Sequence, residues 1–377
     1  MDPERLKRNF ARVAAHGDEV PLFFYSHLFL THPETRGLFP VSMAAQRDRL
    51  VSALGRIVAE AADTERLVPF LQGLGRDHRK FGTVAAHYPA VGESLLATLA
   101  YFSGAEWTPD LAQEWTEAYT LISQVMSEAA AADERDDQPA WWDAVVIGAE
   151  RRTLDVSVLR VAPQHHLPFH PGQSVAVECQ QRPRVWRYYS PANAPREDGT
   201  IDFHVRLIEG GALSPALART TGVGTRLRLG SPVGTLRLDT ASRRDVLLAA
   251  GSTGLAPLKS IAEHAAMLPN PPRVHLVFGA RTAMDLYDLA GIEKLAASWP
   301  WLTVTAVASH DPRFQGEQGT VADAIERRFL AAPQAAAQCD VYVCGSPAMV
   351  DATAGRLEQL GAPRERIFSE DFGGSGV

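Results

Sequence analysis

Several residues have types and spacings suited to chemistry. His78 shares a stripe with Leu71, Leu74 and Phe81, at helical offsets from each. A neutral imidazole on an apolar face is either a metal ligand or a core histidine satisfied by its neighbours. Gln46 precedes Leu50 by four residues and Leu54 by eight, on the apolar stripe of another helix. A buried amide there needs a partner, whereas one at the helix edge faces water. Tyr25 lies in the apolar run PLFFYSHLF. Its hydroxyl either donates to a backbone carbonyl or serves a ligand.

A second group lies near the middle of the chain. RVWRYYS sets Arg187, Tyr189 and Ser190 in an R-x-Y-S arrangement, which brings together a cation, an aromatic face and a hydroxyl. It follows PGQSVAVE (Pro171 to Glu178) and precedes GGALSPALA, where Gly211 and Ser214 begin a helix. Amides at a helix start suit a phosphate, and a Gly-Gly pair also suits a plain turn. A third group is glycine-rich. LLAAGSTGLAPLKS carries Gly251, Thr253, Gly254 and Pro257 between a strand and a helix, VFGAR places Arg281 just past a strand, and VYVCGSPAMV ends a strand at Cys344 and Gly345. Small residues let a dinucleotide approach the backbone, and a glycine-rich turn after a strand is also an ordinary connection. Arg281 meets either a ribose or phosphate, or only solvent. No His/Asp pairing around Cys344 suggests a catalytic thiol.

The elements that must position these residues follow from periodicity. Residues 1–136 read as helices, with Leu50, Leu54, Ile57 and Val58 at helical spacing. Gln138-Pro139 disfavours continued helix and puts a boundary near residue 137. From 137 to 240 the pattern alternates in short runs such as LDVSVLRVAP and IDFHVRLIE, which predicts a small antiparallel barrel. From 241 to 377 apolar runs (DVLLAAG, RVHLVFGA, LTVTAVAS, CDVYVCG) alternate with helix-like stretches, which predicts an α/β domain with a parallel sheet. Such sheets bind ligands beyond the carboxyl ends of their strands, where all three glycine-rich loops fall.

Composition narrows the class. The chain has 377 residues, 46% of them hydrophobic and 21% charged, so a disordered chain is excluded and two or three domains are expected. A net charge of −7 leaves no electrostatic footprint for nucleic acid. There is no apolar run of about 18 residues and no secretory signal pattern. Three cysteines are too few for a disulfide framework. A cytoplasmic location without an obligate protein partner is the expectation.

On these motifs the chain resembles the bacterial flavohemoglobins. FFYSHLFLTHPETRGLFP, QRDRL, HRKF and HYPAVGESLLATL are similar to the globin part of that family. The resemblance implies heme b with His78 as proximal iron ligand. It implies Tyr25 and Gln46 lining the distal pocket, Leu50 above the iron, Phe39 packed on the heme, and Tyr88 hydrogen-bonded near the proximal histidine. The family carries a glutamate late in the last globin helix, where this chain has Ala130; Glu128, two residues away, lies about 200° around an ideal helix. R-x-Y-S resembles the FAD motif of ferredoxin-reductase-type flavoproteins, and implies that Arg187, Tyr189, Ser190, Gly211 and Ser214 bind FAD. Phe372 matches an aromatic that packs on the flavin in that family. Gly251, Thr253, Gly254, Pro257, Arg281, Cys344 and Gly345 would bind NADH or NADPH. The loop resembles the G-x-G-x-x-P type of these reductases, which differs from the G-x-G-x-x-G fingerprint.

The resemblance implies a nitric oxide dioxygenase acting on O₂ and NO. Nicotinamide yields a two-electron hydride and heme iron accepts one electron, so a flavin belongs between them. The alternatives are an NAD(P)H-dependent reductase or oxidase with another acceptor, a heme gas sensor or oxygen-binding protein, and a globin-like domain without heme. A complete reductase half argues against pure sensing.

Overall fold

Asp2 accepts hydrogen bonds from the amides of Glu4 (3.0 Å) and Arg5 (3.3 Å), and Pro3 fills the first helical position, so helix α1 (Pro3–Ala14) is capped at its start. The computed structural model describes residues 2–136, 138–330 and 333–371. Phe372 lies outside them. The chain divides into two units, one through Trp141 and one from Trp142.

The first unit is helical, as its periodicity predicts. After α1 come α2 (Glu19–Thr31), α3 (Ala44–Ala59), α4 (Thr64–His78), α5 (Tyr88–Ser103) and α6 (Pro109–Arg135). Thr108 caps α6 by accepting from the Leu111 amide at 3.3 Å. Asp63 caps α4 by accepting from Arg66 at 3.2 Å. Pro69 sits inside α4 and removes one backbone donor. The helix persists beyond it because Leu71 is fully buried and Gly75 lets α6 close in. A Cβ on Gly75 would lie 2.2 Å from the Met126 carbonyl oxygen. The apolar side chains form two clusters. One holds Tyr25, Phe24 and Leu28, with Phe39, Met43, Leu50 and Leu54 packed on it. The other holds Ile57, Leu71 and Met126, with Leu74 and Tyr88 packed on it.

The second unit opens with an antiparallel sheet of β1 (Trp142–Arg151), β2 (Val156–Pro163), β3 (Ser174–Cys179), β4 (Arg187–Tyr189), β5 (Ile201–Arg206) and β6 (Arg226–Val233), ordered β4-β3-β6-β1-β2-β5. A bridge between Pro191, just past β4, and Phe203 on β5 brings the two edge strands together, so the sheet is nearly a closed barrel. Closure hides the edges that an open sheet would expose. A short helix, α7 (Ser214–Arg219), lies between β5 and β6. The sequence pattern missed β4, which has three residues and no alternation to display.

A parallel sheet follows. Its strands are β7 (Asp245–Gly251), β8 (Val274–Ala280), β9 (Leu302–Ala308), β10 (Glu317–Gln318), β11 (Cys339–Gly345) and β12 (Ile367–Asp371), in the order β10-β9-β8-β7-β11-β12. Helices α8 (Leu255–Ala266), α9 (Leu289–Ser298), α10 (Val321–Phe329) and α11 (Pro347–Gln359) provide the crossovers. β7 and β11 are buried on both faces, hence their continuous apolar runs. Strand order reverses between β7 and β11. Sheets of this kind bind ligands at the switch point, beyond the carboxyl ends of the strands, and Gly251 and Cys344 stand at those ends.

Candidate heme, flavin and nicotinamide sites

In the helical unit the imidazole of His78 is fixed by its own helix. Nδ1 lies 2.7 Å from the Leu74 carbonyl, one turn back. A carbonyl only accepts, so Nδ1 carries the proton and Nε2 keeps its lone pair. Burial pushes the ring below its usual 6.5, and the Leu74 hydrogen bond opposes that only in part. A neutral imidazole with a free Nε2 is the donor that heme iron requires. The residues present therefore fit a heme.

Tyr25 is buried on α2, and its ring meets Phe39 edge-on with centroids 5.5 Å apart. Its hydroxyl donates to the Gln46 backbone carbonyl at 3.3 Å. Burial raises its pKa, and a hydrogen bond from the Gln46 side chain partly offsets this. The phenol stays protonated at neutral pH and is a donor. Gln46 and Leu50 are half-buried on α3. The structure thus brings Tyr25, Gln46, Phe39 and Leu50 together in the unit that holds His78.

Tyr88 begins α5 and packs beside Leu74. Its hydroxyl hydrogen-bonds Ser127 on α6, and its carbonyl accepts from Tyr119 at 2.6 Å. Glu128 is exposed and accepts from Gln124, one turn back, at 2.8 Å. It does not stand in for the proximal carboxylate; the partner of Tyr88 is a neutral hydroxyl.

In the second unit Tyr189 pairs with Val175 across β4 and β3. Arg187 is half-buried and donates to the Trp186 carbonyl at 2.8 Å. The Ser190 hydroxyl lies 3.1 Å from that of Ser174, and Ser174 donates to Glu370 on β12 at 2.9 Å. This relay ties the R-x-Y-S segment to the parallel sheet. Ser214 accepts from the Ile208 amide at 3.1 Å, closing the loop that starts α7. Gly210 has φ of +73°, a left-handed turn conformation open to glycine. A Cβ on Gly211 would meet the Ile208 oxygen and Ser214 Oγ at 2.8 Å, so bare backbone is required there as well.

The two central glycine-rich loops interlock. A Cβ on Gly254 would fall 2.1 Å from the Cys344 carbonyl oxygen, and one on Gly251 would fall 3.3 Å from Met349 Sδ. Thr253 lies in the same turn and Pro257 is buried at the start of α8. Arg281 is exposed past β8, the neighbour of β7, and its carbonyl accepts from His310 at 2.8 Å. Cys344 is fully buried, and burial, then the Glu370 charge, pushes its thiol well above the usual range. It is a neutral small residue near the end of β11. Glu370, Ser174 and Met349 escaped the motif reading. The last two stand within the sequence motifs, but only the fold brings Ser174 to Glu370 and Met349 to Gly251.

Comparison with known proteins agrees with this layout. The Globin family matches residues 22–126, the oxidoreductase FAD-binding domain 144–238 and the oxidoreductase NAD-binding domain 247–355. The chain is 25% identical to a flavohemoprotein of Bacillus subtilis (strain 168), over 98% of this chain and 96% of that one. It is 34% identical to the ferredoxin–NAD(P)⁺ reductase component of a naphthalene 1,2-dioxygenase system from Pseudomonas putida, over 68% of this chain and 77% of that one. A solved flavohemoglobin from Malassezia yamatoensis, with bound FAD and heme, shares its fold at a TM-score of 0.78 and 18% identity over 98% of both chains. A globin followed by these two domains defines an NAD(P)H-dependent oxidoreductase joined to a heme protein. Its cofactors are heme, FAD and NAD(P). The chain has the domain order of the flavohemoproteins, a globin domain followed by FAD-binding and NAD-binding oxidoreductase domains.

Proposed function

We propose that the protein is a nitric oxide dioxygenase, converting NO and O₂ to nitrate at the expense of NAD(P)H. When bound, the cofactors supply hydride acceptance, its division into single electrons, and an iron that binds O₂. Per NAD(P)H, two NO and two O₂ yield two nitrates, NAD(P)⁺ and one proton. The carrying observation is the pairing, in one helical unit, of a histidine with a free Nε2 and a buried protonated phenol. Residues 1–136, 137–240 and 241–377 divide the work as heme, FAD and NAD(P)H domains.

His78 holds the iron. Tyr25, backed by Gln46, would supply an O–H donor beside the heme, suited to an anionic partner through charge-assisted hydrogen bonding. Leu50 and Phe39 keep the pocket apolar, and Tyr88 braces the proximal side. Arg187, Tyr189, Ser190, Gly211 and Ser214 bind the flavin. Gly251, Thr253, Gly254, Pro257, Arg281, Cys344 and Gly345 take the nicotinamide nucleotide. Among the described residues no helix is long and apolar enough to cross a membrane. The reading places the chain in the cytoplasm, where NAD(P)H is made and its three buried free cysteines stay reduced.

A second reading, a reductase or oxidase for another acceptor, is favoured by one observation. Tyr88 ends on Ser127 rather than a carboxylate, so the proximal ligand lacks a charged relay. The experiment is NO consumption by heme- and FAD-loaded protein in aerated buffer with NADH, with nitrate assayed. Loss of NO dependent on NADH and oxygen, with matching nitrate, is expected. Persistent NO beside heme reduced by NADH would transfer the assignment to the second reading.

A further inference from the structure

Arg79 directly follows His78, yet it is 8% exposed and turned toward the end of α6. Its Nη2 donates to the Gln138 carbonyl at 2.7 Å, and its Nη1 lies 3.5 Å from Asp133 Oδ2. The other oxygen of Asp133 takes Arg76 Nε at 3.2 Å. Arg76 and Arg79 bracket His78 in sequence, and both meet one carboxylate on α6. The Gln138 amide in turn donates to the Asp133 carbonyl at 2.9 Å, folding the chain back over the helix end. Upstream, Gly75 lies against the Met126 backbone. The last turn of α4 is therefore held to α6 by backbone contact at Gly75 and by an arginine clip that brackets His78. The clip grips the segment that leads out of the helical unit, since β1 begins four residues later at Trp142.

We propose that Arg79 is a positioning residue that couples the seating of the proximal histidine to the course of the linker into the reductase domains. The inference rests on His78 being the heme ligand. A guanidinium is suited to this because its rigid fork reaches two acceptors at once, whereas an ammonium is a point charge. Arg79 touches no substrate; it acts through His78 and Gln138.

The test uses the full-length holoprotein mixed anaerobically with NADH in a stopped-flow instrument. Flavin and heme absorbance are followed separately, and NO is absent. With Arg79→Gln the expected result is unchanged flavin reduction, heme reduction slowed at least tenfold, faster heme transfer to excess apomyoglobin and a shifted iron–histidine stretch in the Raman spectrum. Arg79→Lys keeps one contact and should fall between. Heme reduction at the unaltered rate in Arg79→Gln overturns the coupling, even if heme is lost faster. If Arg79→Gln does not fold, Arg79→Lys decides: slowed heme reduction with normal flavin reduction supports the proposal, and unaltered rates overturn it. A negative NO assay leaves all these readouts intact, so the two readings fail separately.

Discussion

The Tyr25 hydroxyl reaches the Gln46 backbone carbonyl at 3.3 Å, well beyond the usual 2.7–2.8 Å for such bonds. A long bond is weak, so the hydroxyl can turn to a better acceptor at small cost. Burial keeps it protonated for that purpose. The contact that would satisfy an ordinary core tyrosine therefore also holds a donor ready for a ligand.

Tyr25→Phe removes this donor and leaves the packing on Phe39 in place. A hydrogen bond to a charged acceptor contributes about 1.5–3 kcal/mol. The oxygen off-rate should rise by roughly ten- to a hundredfold at equal heme content. Laser photolysis with oxygen rebinding measures it, and an unchanged off-rate removes Tyr25 from the distal role.

His78→Ala should abolish tight heme binding while NADH still bleaches the flavin, because hydride transfer takes place in the other unit. The Soret band after purification and anaerobic flavin reduction check the two halves. Full heme retention with an unaltered spectrum would show that another residue is the ligand.

Gly254→Ala and Gly345→Ala should differ. The first drives a methyl against backbone, 2.1 Å from the Cys344 oxygen; the second meets the mobile end of Met349 at 2.7 Å. Overpacking costs about 1–3 kcal/mol and more where backbone must move. Flavin reduction by NADH should fall at least a hundredfold in Gly254→Ala, and by less than tenfold in Gly345→Ala. Equal effects would mean that the loops are not interlocked.

Acid should destabilise the second unit through His204. The residue is buried on β5, with Nδ1 2.7 Å from the Tyr287 hydroxyl. Burial first, then the Lys259 charge, lowers its pKa from 6.5 to about 3. Between those values the unfolded chain binds a proton that the folded chain refuses. Stability conferred by the neutral ring is therefore present above 6.5 and lost as pH falls toward 3, by up to about 1.4 kcal/mol per unit. His275, lowered to about 4 mainly by burial, adds in the same direction. Urea midpoints at pH 7 and 5 check this: His204→Asn should flatten the dependence, and an equally steep fall in the variant would clear His204.

The order of domains was legible because hydrophobic period is local. A helix repeats every 3.6 residues and a half-buried strand every two, so the shifts near residues 137 and 241 were visible without contacts. β4 was not, since three residues carry no period. The sequence motifs contained Ser174 and Met349 without marking them, because neither residue type is distinctive. Their roles come from partners 196 residues away (Ser174 to Glu370) or across interlocked loops.

Local sequence is enough to set out the helical, barrel and α/β segments and the residue types able to hold heme, FAD and a nicotinamide nucleotide. Tertiary structure decided how those residues are used. It set Gly251 beside Cys344 by pairing β7 with β11 at the point where strand order reverses. It turned Glu128 outward to Gln124 and gave Tyr88 to Ser127. The physical reason is that periodicity assigns a side chain to a face, whereas a hydrogen-bond partner depends on which other element packs against that face.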